Sequence, residues 1–213
     1  DANIQGDLSG NWWKRAIKSV LLAKIVFKLA GGFLYAGTAN KELYQKYDVN
    51  DSKLIPFAYS WGYESFMESS QKLRLSKGLI RDELGIPRDK YVILYSGRLS
   101  QEKSPMDILT AYELLDVTNK ALVFVGDGQL RDSMEYYVSD KQLESVYFAG
   151  FQNRNDITKY YASADVLVLP SRRETWGMVI NEDLCFGLPV VASEEVGAVK
   201  DLVFDGYNGY LFP

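Results

Sequence analysis

Residues 91–126 read YVILYSGRLSQEKSPMDILTAYELLDVTNKALVFVG. The strand-forming run Tyr91 to Ser96 stops at Gly97. A polar loop follows, Pro105 opens a helical pattern that reaches Val117, and a second apolar run, Ala121 to Val125, stops at Gly126. Both runs are apolar at consecutive rather than alternate positions, so each strand is expected to be buried on both faces. A strand, a helix and a strand in this order form the repeating unit of a parallel sheet, because parallel neighbours need a long crossover between them.

The alternation continues toward the carboxyl end. Strand-like runs recur at Ser145 to Ala149, Val166 to Leu169, Pro189 to Ala192 and Tyr210 to Phe212. Helical patterns separate them at Gln129 to Val138, Asn155 to Ala162, Met178 to Phe186 and Ala198 to Phe204. The expected architecture is α/β, a doubly wound, Rossmann-like parallel sheet over residues 91–213.

Toward the amino end the pattern is weaker. Residues 61–90, with Gly62, Gly78, Gly85 and Pro87, read as a connector holding one short helix from Leu75 to Leu84. Residues 1–60 hold only a fragment of a domain, with short strands at Gly32 to Ala36 and Lys53 to Ala58 around a helix from Ala39 to Lys46. Before them, residues 11–30 form a helix rich in lysine and bulky apolar groups that stops at Gly31 and Gly32. Its basic residues interrupt the apolar run, so it is not read as a membrane span. Packing on its own domain is the commoner fate; Trp12 and Trp13 with the basic residues also suit an anionic membrane surface.

Composition narrows the chemistry. At 213 residues, 47% hydrophobic and 24% charged, the chain can bury a large core, and two complete α/β domains would be crowded. The net charge of −4 argues against a nucleic-acid binder, which needs positive surface to displace counterions from phosphate. Cys185 is the single cysteine and histidine is absent. Internal disulfides, cysteine or histidine metal sites and histidine-based nucleophile systems are thereby excluded. Carboxylates, cations and backbone dipoles must do the work.

Sheets of this kind bind ligands in the loops at the carboxyl ends of their strands. After the first regular strand, Gly97 permits close backbone approach, and Arg98 and Lys103 stand near a helix start, a combination that suits a pyrophosphate. Solvated loop cations are the alternative reading. Further on, Glu174 lies in a loop and Glu182 about one turn into the helix that begins near Gly177. Glu174 can bond sugar hydroxyls, Glu182 can accept a ribose diol, and the amides of Gly177, Met178 and Val179 can hold phosphate. The alternative makes one carboxylate a helix-start residue and the other solvent-facing. Gly126 and Gly128 lack the third glycine of a dinucleotide fingerprint and read as a tight turn. No Asp-x-Asp pair suggests a metal held with a diphosphate. Cys185 reads as packing on the apolar side of its helix.

In combination the segments YSGRLSQEK, FVGDGQLRDSM, VYFAGFQNRNDITKYYASADVLVLPS, ETWGMVINEDLCFGLPVVAS and VFDGYNGYLFP resemble the group 1 family of retaining glycosyltransferases with the GT-B fold, from about Ile55 onward. The resemblance implies that Arg98 and Lys103 hold a donor diphosphate and that Glu174 and Glu182 form the family's E-x7-E pair, with Glu174 on the sugar and Glu182 on the ribose. It further implies that the Gly177 to Val179 amides meet the sugar or phosphate and that Phe151 and Gln152 meet the base. Arg98, Lys103 and Glu174 would carry catalysis. No metal or other cofactor is expected, the nucleotide-sugar being a substrate with UDP or GDP as carrier. The acceptor would be a glycan or lipid-linked molecule, and the location cytoplasmic, with peripheral contact at the inner membrane face the variant that the basic helix suggests. By the same analogy residues 1–60 are the end of an amino-terminal acceptor domain, and helices are expected beyond Pro213. Two further readings share the fold: a sugar-nucleotide epimerase and a non-catalytic nucleotide-sugar-binding module. An unrelated doubly wound regulator is more remote.

Overall fold

Six parallel strands form the main sheet of the computed structural model, which describes residues 27–57 and 62–213. They are β3 (Tyr91–Ser96), β4 (Lys120–Val125), β5 (Val146–Gly150), β6 (Val166–Leu169), β7 (Val190–Ser193) and β8 (Gly209–Phe212), in the order β5-β4-β3-β6-β7-β8. The first of these strands therefore sits in the middle. Its successors extend one way and then, after a crossover from β5 to β6, the other, which is the doubly wound order with its reversal between β3 and β6.

Consecutive apolar residues explain why both faces are covered. Val92 and Leu94 belong to one core with Val123, Val125 and Leu167, while Tyr95 belongs to the other with Leu122 and Phe124. Helices α4 (Pro105–Leu114) and α5 (Arg131–Asp140) close the Tyr95 side through Ile108, Leu109, Tyr112 and Met134. The opposite face receives α6 (Ile157–Ser163), α7 (Met178–Cys185) and α8 (Val199–Leu202) through Tyr161, Ile180 and Val199.

The connector departs from expectation. It contains two helices, α2 (Tyr63–Leu73) and α3 (Lys77–Glu83), joined by a 3-10 turn. Helix α2, YESFMESSQKL, buries only Phe66 and Ser70, too few positions to register as an apolar stripe. It is held by Phe66, whose ring meets Tyr161 and Phe186 edge-on. Helix α4 also stops before Val117, because Leu115 turns to extended backbone.

Before the connector, β1 (Phe33–Tyr35) and β2 (Leu54–Pro56) make a separate parallel pair flanking α1 (Thr38–Lys46). Phe27, Phe33, Tyr44 and Tyr47 cluster edge-to-face beside it. This segment meets the main domain at α8, where Asp201 accepts from the amide and hydroxyl of Thr38 at 2.9 and 2.6 Å and Lys200 pairs with Glu42. The basic tryptophan-containing helix lies almost wholly outside the described residues. Among those described, no helix is long and apolar enough to cross a membrane.

Candidate functional site

The carboxyl ends of β3 and β6 are neighbours, so the loops 97–104 and 170–177 rise from the point at which the strand order reverses. The two loops are laced together. The amides of Arg172 and Arg173 donate to the Glu102 carbonyl, and Lys103 Nζ donates to Glu174 Oε2 at 2.5 Å and to the Arg173 carbonyl at 3.2 Å. Lys103 and Glu174 keep only 22% and 25% side-chain exposure, so their pairing is partly screened from water.

Arg98 is exposed, but its backbone is fixed: the buried Tyr95 hydroxyl donates to the Arg98 carbonyl at 2.8 Å. Burial, with the Glu174 charge adding, holds the Tyr95 phenol well above its ordinary pKa, so it remains a donor. Beneath the loop, Gly126 and Gly128 do more than turn the chain. A Cβ at Gly126 would fall 1.9 Å from the Gly97 carbonyl oxygen, and one at Gly128 would fall 2.4 Å from that of Leu99. Their missing side chains let the β4 loop support the cationic loop backbone to backbone, with Leu99 N donating to Asp127 O and Leu130 N to Leu99 O.

Gly177 has φ of +94°, and a Cβ there would sit 2.8 Å from a Val196 methyl. That conformation favours glycine and turns the chain directly into α7. Among the described residues no side chain caps this helix, so its opening amides at Gly177, Met178 and Val179 are available to an anion. The Glu174 loop is pinned from its other side, where Gly197 N donates to Glu174 O and Ala198 N to Trp176 O.

Glu182 is not the solvent-facing residue that the alternative reading allowed. Its Oε2 accepts from the hydroxyl of Tyr161 at 2.7 Å. Burial raises the Glu182 carboxyl above its usual pKa, while the Tyr161 hydrogen bond and the Arg154 charge draw it down. Tyr161 escaped the sequence reading: only the adjacency of Tyr160 and Tyr161 signals that one ring must face inward, and its partner lies 21 positions away.

The structure thus brings Gly97, Arg98, Lys103, Glu174 and Gly177 to Val179 to one place, with Glu182 one turn along α7. Phe151 and Gln152 follow the edge strand β5, two strands from β3. Phe151 is 80% exposed, and Gln152 turns back to donate to the Ala149 carbonyl. An apolar groove of about 760 Å³ runs elsewhere, lined by Ile93, Ile108, Val168 and Val191, and its hydrocarbon walls match a nucleoside diphosphate poorly.

Comparison with known proteins shows the family and the fold. The sequence profile of the family described as Glycosyl transferases group 1 matches residues 76–213. An uncharacterized glycosyltransferase of Methanocaldococcus jannaschii is 32% identical over 158 residues, covering 72% of this chain and 38% of that protein. The sulfoquinovosyl transferase of Arabidopsis thaliana is 30% identical, covering 69% of this chain and 27% of its own length. This chain therefore spans well under half of these relatives. Among solved structures, HepE of Anabaena in complex with UDP superposes with a TM-score of 0.77 at 22% identity, over 99% of this chain and 56% of that one. At that identity the likeness speaks for the fold alone.

Proposed function

The chain belongs to the group 1 glycosyltransferases, and we propose that it supplies the donor site of a retaining enzyme that moves a hexose from a nucleoside-diphosphate sugar to a glycan or lipid-linked acceptor. The observation that carries this reading is the convergence of Arg98, Lys103 and Glu174 at the reversal of strand order, beside the uncapped start of α7. Residues 27–57 then belong to the acceptor side of the cleft.

Chemically, breaking a glycosyl–phosphate bond leaves negative charge on the departing diphosphate. Arg98, Lys103 and the amides from Gly177 to Val179 are prearranged cations and dipoles on that position, and such groups act most strongly where water is thin. Glu174, neutralising Lys103 in the protein alone, takes the sugar hydroxyls, and Glu182 takes the ribose diol. UDP is the favoured carrier because HepE, similar in fold, was solved with it. Nothing in this scheme asks for a metal.

Calorimetric titration with UDP, GDP and ADP tests the reading. UDP is expected to bind tightest, and Arg98→Ala and Glu182→Ala are each expected to weaken it about tenfold, the worth of a charge-assisted hydrogen bond. Failure of all three nucleotides to bind, or variants that bind as the wild type does, would sink it.

A further inference from the structure

Tyr161 has no place in the scheme above, yet its surroundings are unusually determined. It is fully buried in α6, stacked on Phe186 with ring centroids 5.5 Å apart and met edge-on by Phe66. A ring clamped on two sides has one hydroxyl position available to it. From there it donates to Glu182 Oε2 at 2.7 Å, although Asp183, the next residue, is buried with neither carboxylate oxygen partnered among the described residues. A phenol has one proton to give, and here it goes to Glu182, joining α6 to the carboxylate on α7.

We propose that Tyr161 is a positioning residue for the donor nucleoside: its clamped hydroxyl fixes the Glu182 carboxylate so that Oε1 and the spare lone pair of Oε2 meet the two ribose hydroxyls. This rests on the assignment of Glu182 to the ribose. Among the described residues no hydrogen bond reaches Oε1, so one side of the carboxylate is committed and the other is open. A flexible glutamate would lose side-chain freedom on binding the diol; one already held loses less. Burial pushes the Tyr161 phenol well above its ordinary pKa, so it stays a donor across the working range.

The discriminating experiment measures UDP and 2′,3′-dideoxy-UDP, which lacks the diol, against the full chain carrying Tyr161→Phe and, separately, Phe186→Leu. Wild-type protein is expected to prefer UDP. In Tyr161→Phe, UDP binding should fall about tenfold while dideoxy-UDP binding changes less than about twofold, so the preference collapses. Phe186→Leu loosens the stack that clamps the ring and should shift UDP alone in the same direction, which keeps the test open if the Tyr161 variant folds poorly. Equal weakening of both nucleotides, or an unchanged preference, overturns the positioning role and leaves the donor reading intact. A wild-type protein that binds both nucleotides equally removes the ribose assignment and this proposal with it, and one that binds neither removes the donor reading itself.

Discussion

The two ends of the sheet use the same kinds of residue to opposite effect. At the amino end, Asp165 precedes β6 and accepts from Lys77 at 2.6 Å, from Arg81 at 2.7 Å and from the Val92 amide at 2.7 Å. Arg81 spends its remaining donors on the carbonyls of Ser163, Arg88 and Lys90. Burial alone would raise the Asp165 carboxyl, but the hydrogen bonds from Lys77, Val92 and Arg81 outweigh it and hold the pKa below its ordinary value. At the carboxyl end, Glu174 pairs with Lys103 and Glu182 accepts at one oxygen from Tyr161, while among the described residues no side chain caps α7 and no hydrogen bond reaches the Asp183 carboxylate. A saturated network ties α3 to the sheet. A less committed one keeps capacity for a ligand, and the proposed donor site draws on that contrast.

The largest expected effect comes from breaking the saturated end. Arg81→Ala strips Asp165 of a partner and three carbonyls of their donor, and should cost about 3–5 kcal/mol of stability in urea unfolding. UDP affinity of the folded protein should hardly change. The same end governs acid sensitivity: with a folded pKa below the unfolded one, ionised Asp165 contributes stability that is complete above the unfolded value and lost as pH falls through the folded value. A loss under about 1 kcal/mol in the variant would show that the network is ornamental.

Asp183 offers a smaller effect of opposite sign. Burial holds its carboxyl well above the usual range, so the folded protein keeps a proton that the unfolded chain releases. Its contribution is therefore complete below the unfolded pKa and declines as pH rises toward the folded one. Asp183→Asn, close in shape and unable to ionise, should gain about 1–3 kcal/mol at pH 8, with the gain vanishing near pH 4. Thermal unfolding at the two pH values checks it; a variant no more stable at pH 8 means that an unseen partner serves Asp183.

These ends were not equally legible. Strands β3 to β8 could be read because β-branched and apolar runs declare burial on both faces, and the placing of Arg98, Lys103, Glu174 and Gly177 in the loops at their carboxyl ends follows from the same runs. Helix α2 could not, since Phe66 alone carries much of its packing. Tyr161 and Arg81 could not either: their roles lie in partners 21 and 84 positions away, and a single sequence does not print that pairing. The glycines at 126 and 128 read as a turn from the sequence but also admit another loop's backbone, because a turn is local and an approach to a distant loop is not.

A third contact at the carboxyl end tests how far openness extends. Asp201 serves α1 as an N-cap from 163 positions away, while Gly37, just before Thr38, lies so close to Trp176 that a Cβ there would fall 2.3 Å from the indole. The cap is exposed and the neighbouring Lys200–Glu42 pair is exposed too. Asp201→Ala should thus cost only about 0.5–1 kcal/mol of overall stability. Hydrogen exchange at Thr38 and the first turn of α1 should nonetheless quicken, because that turn loses its acceptor and gains no other. If exchange stays slow, the packing of Trp176 on Gly37, rather than the cap, holds the amino-terminal segment against the Glu174 loop, and Gly37→Ala becomes the variant that releases it.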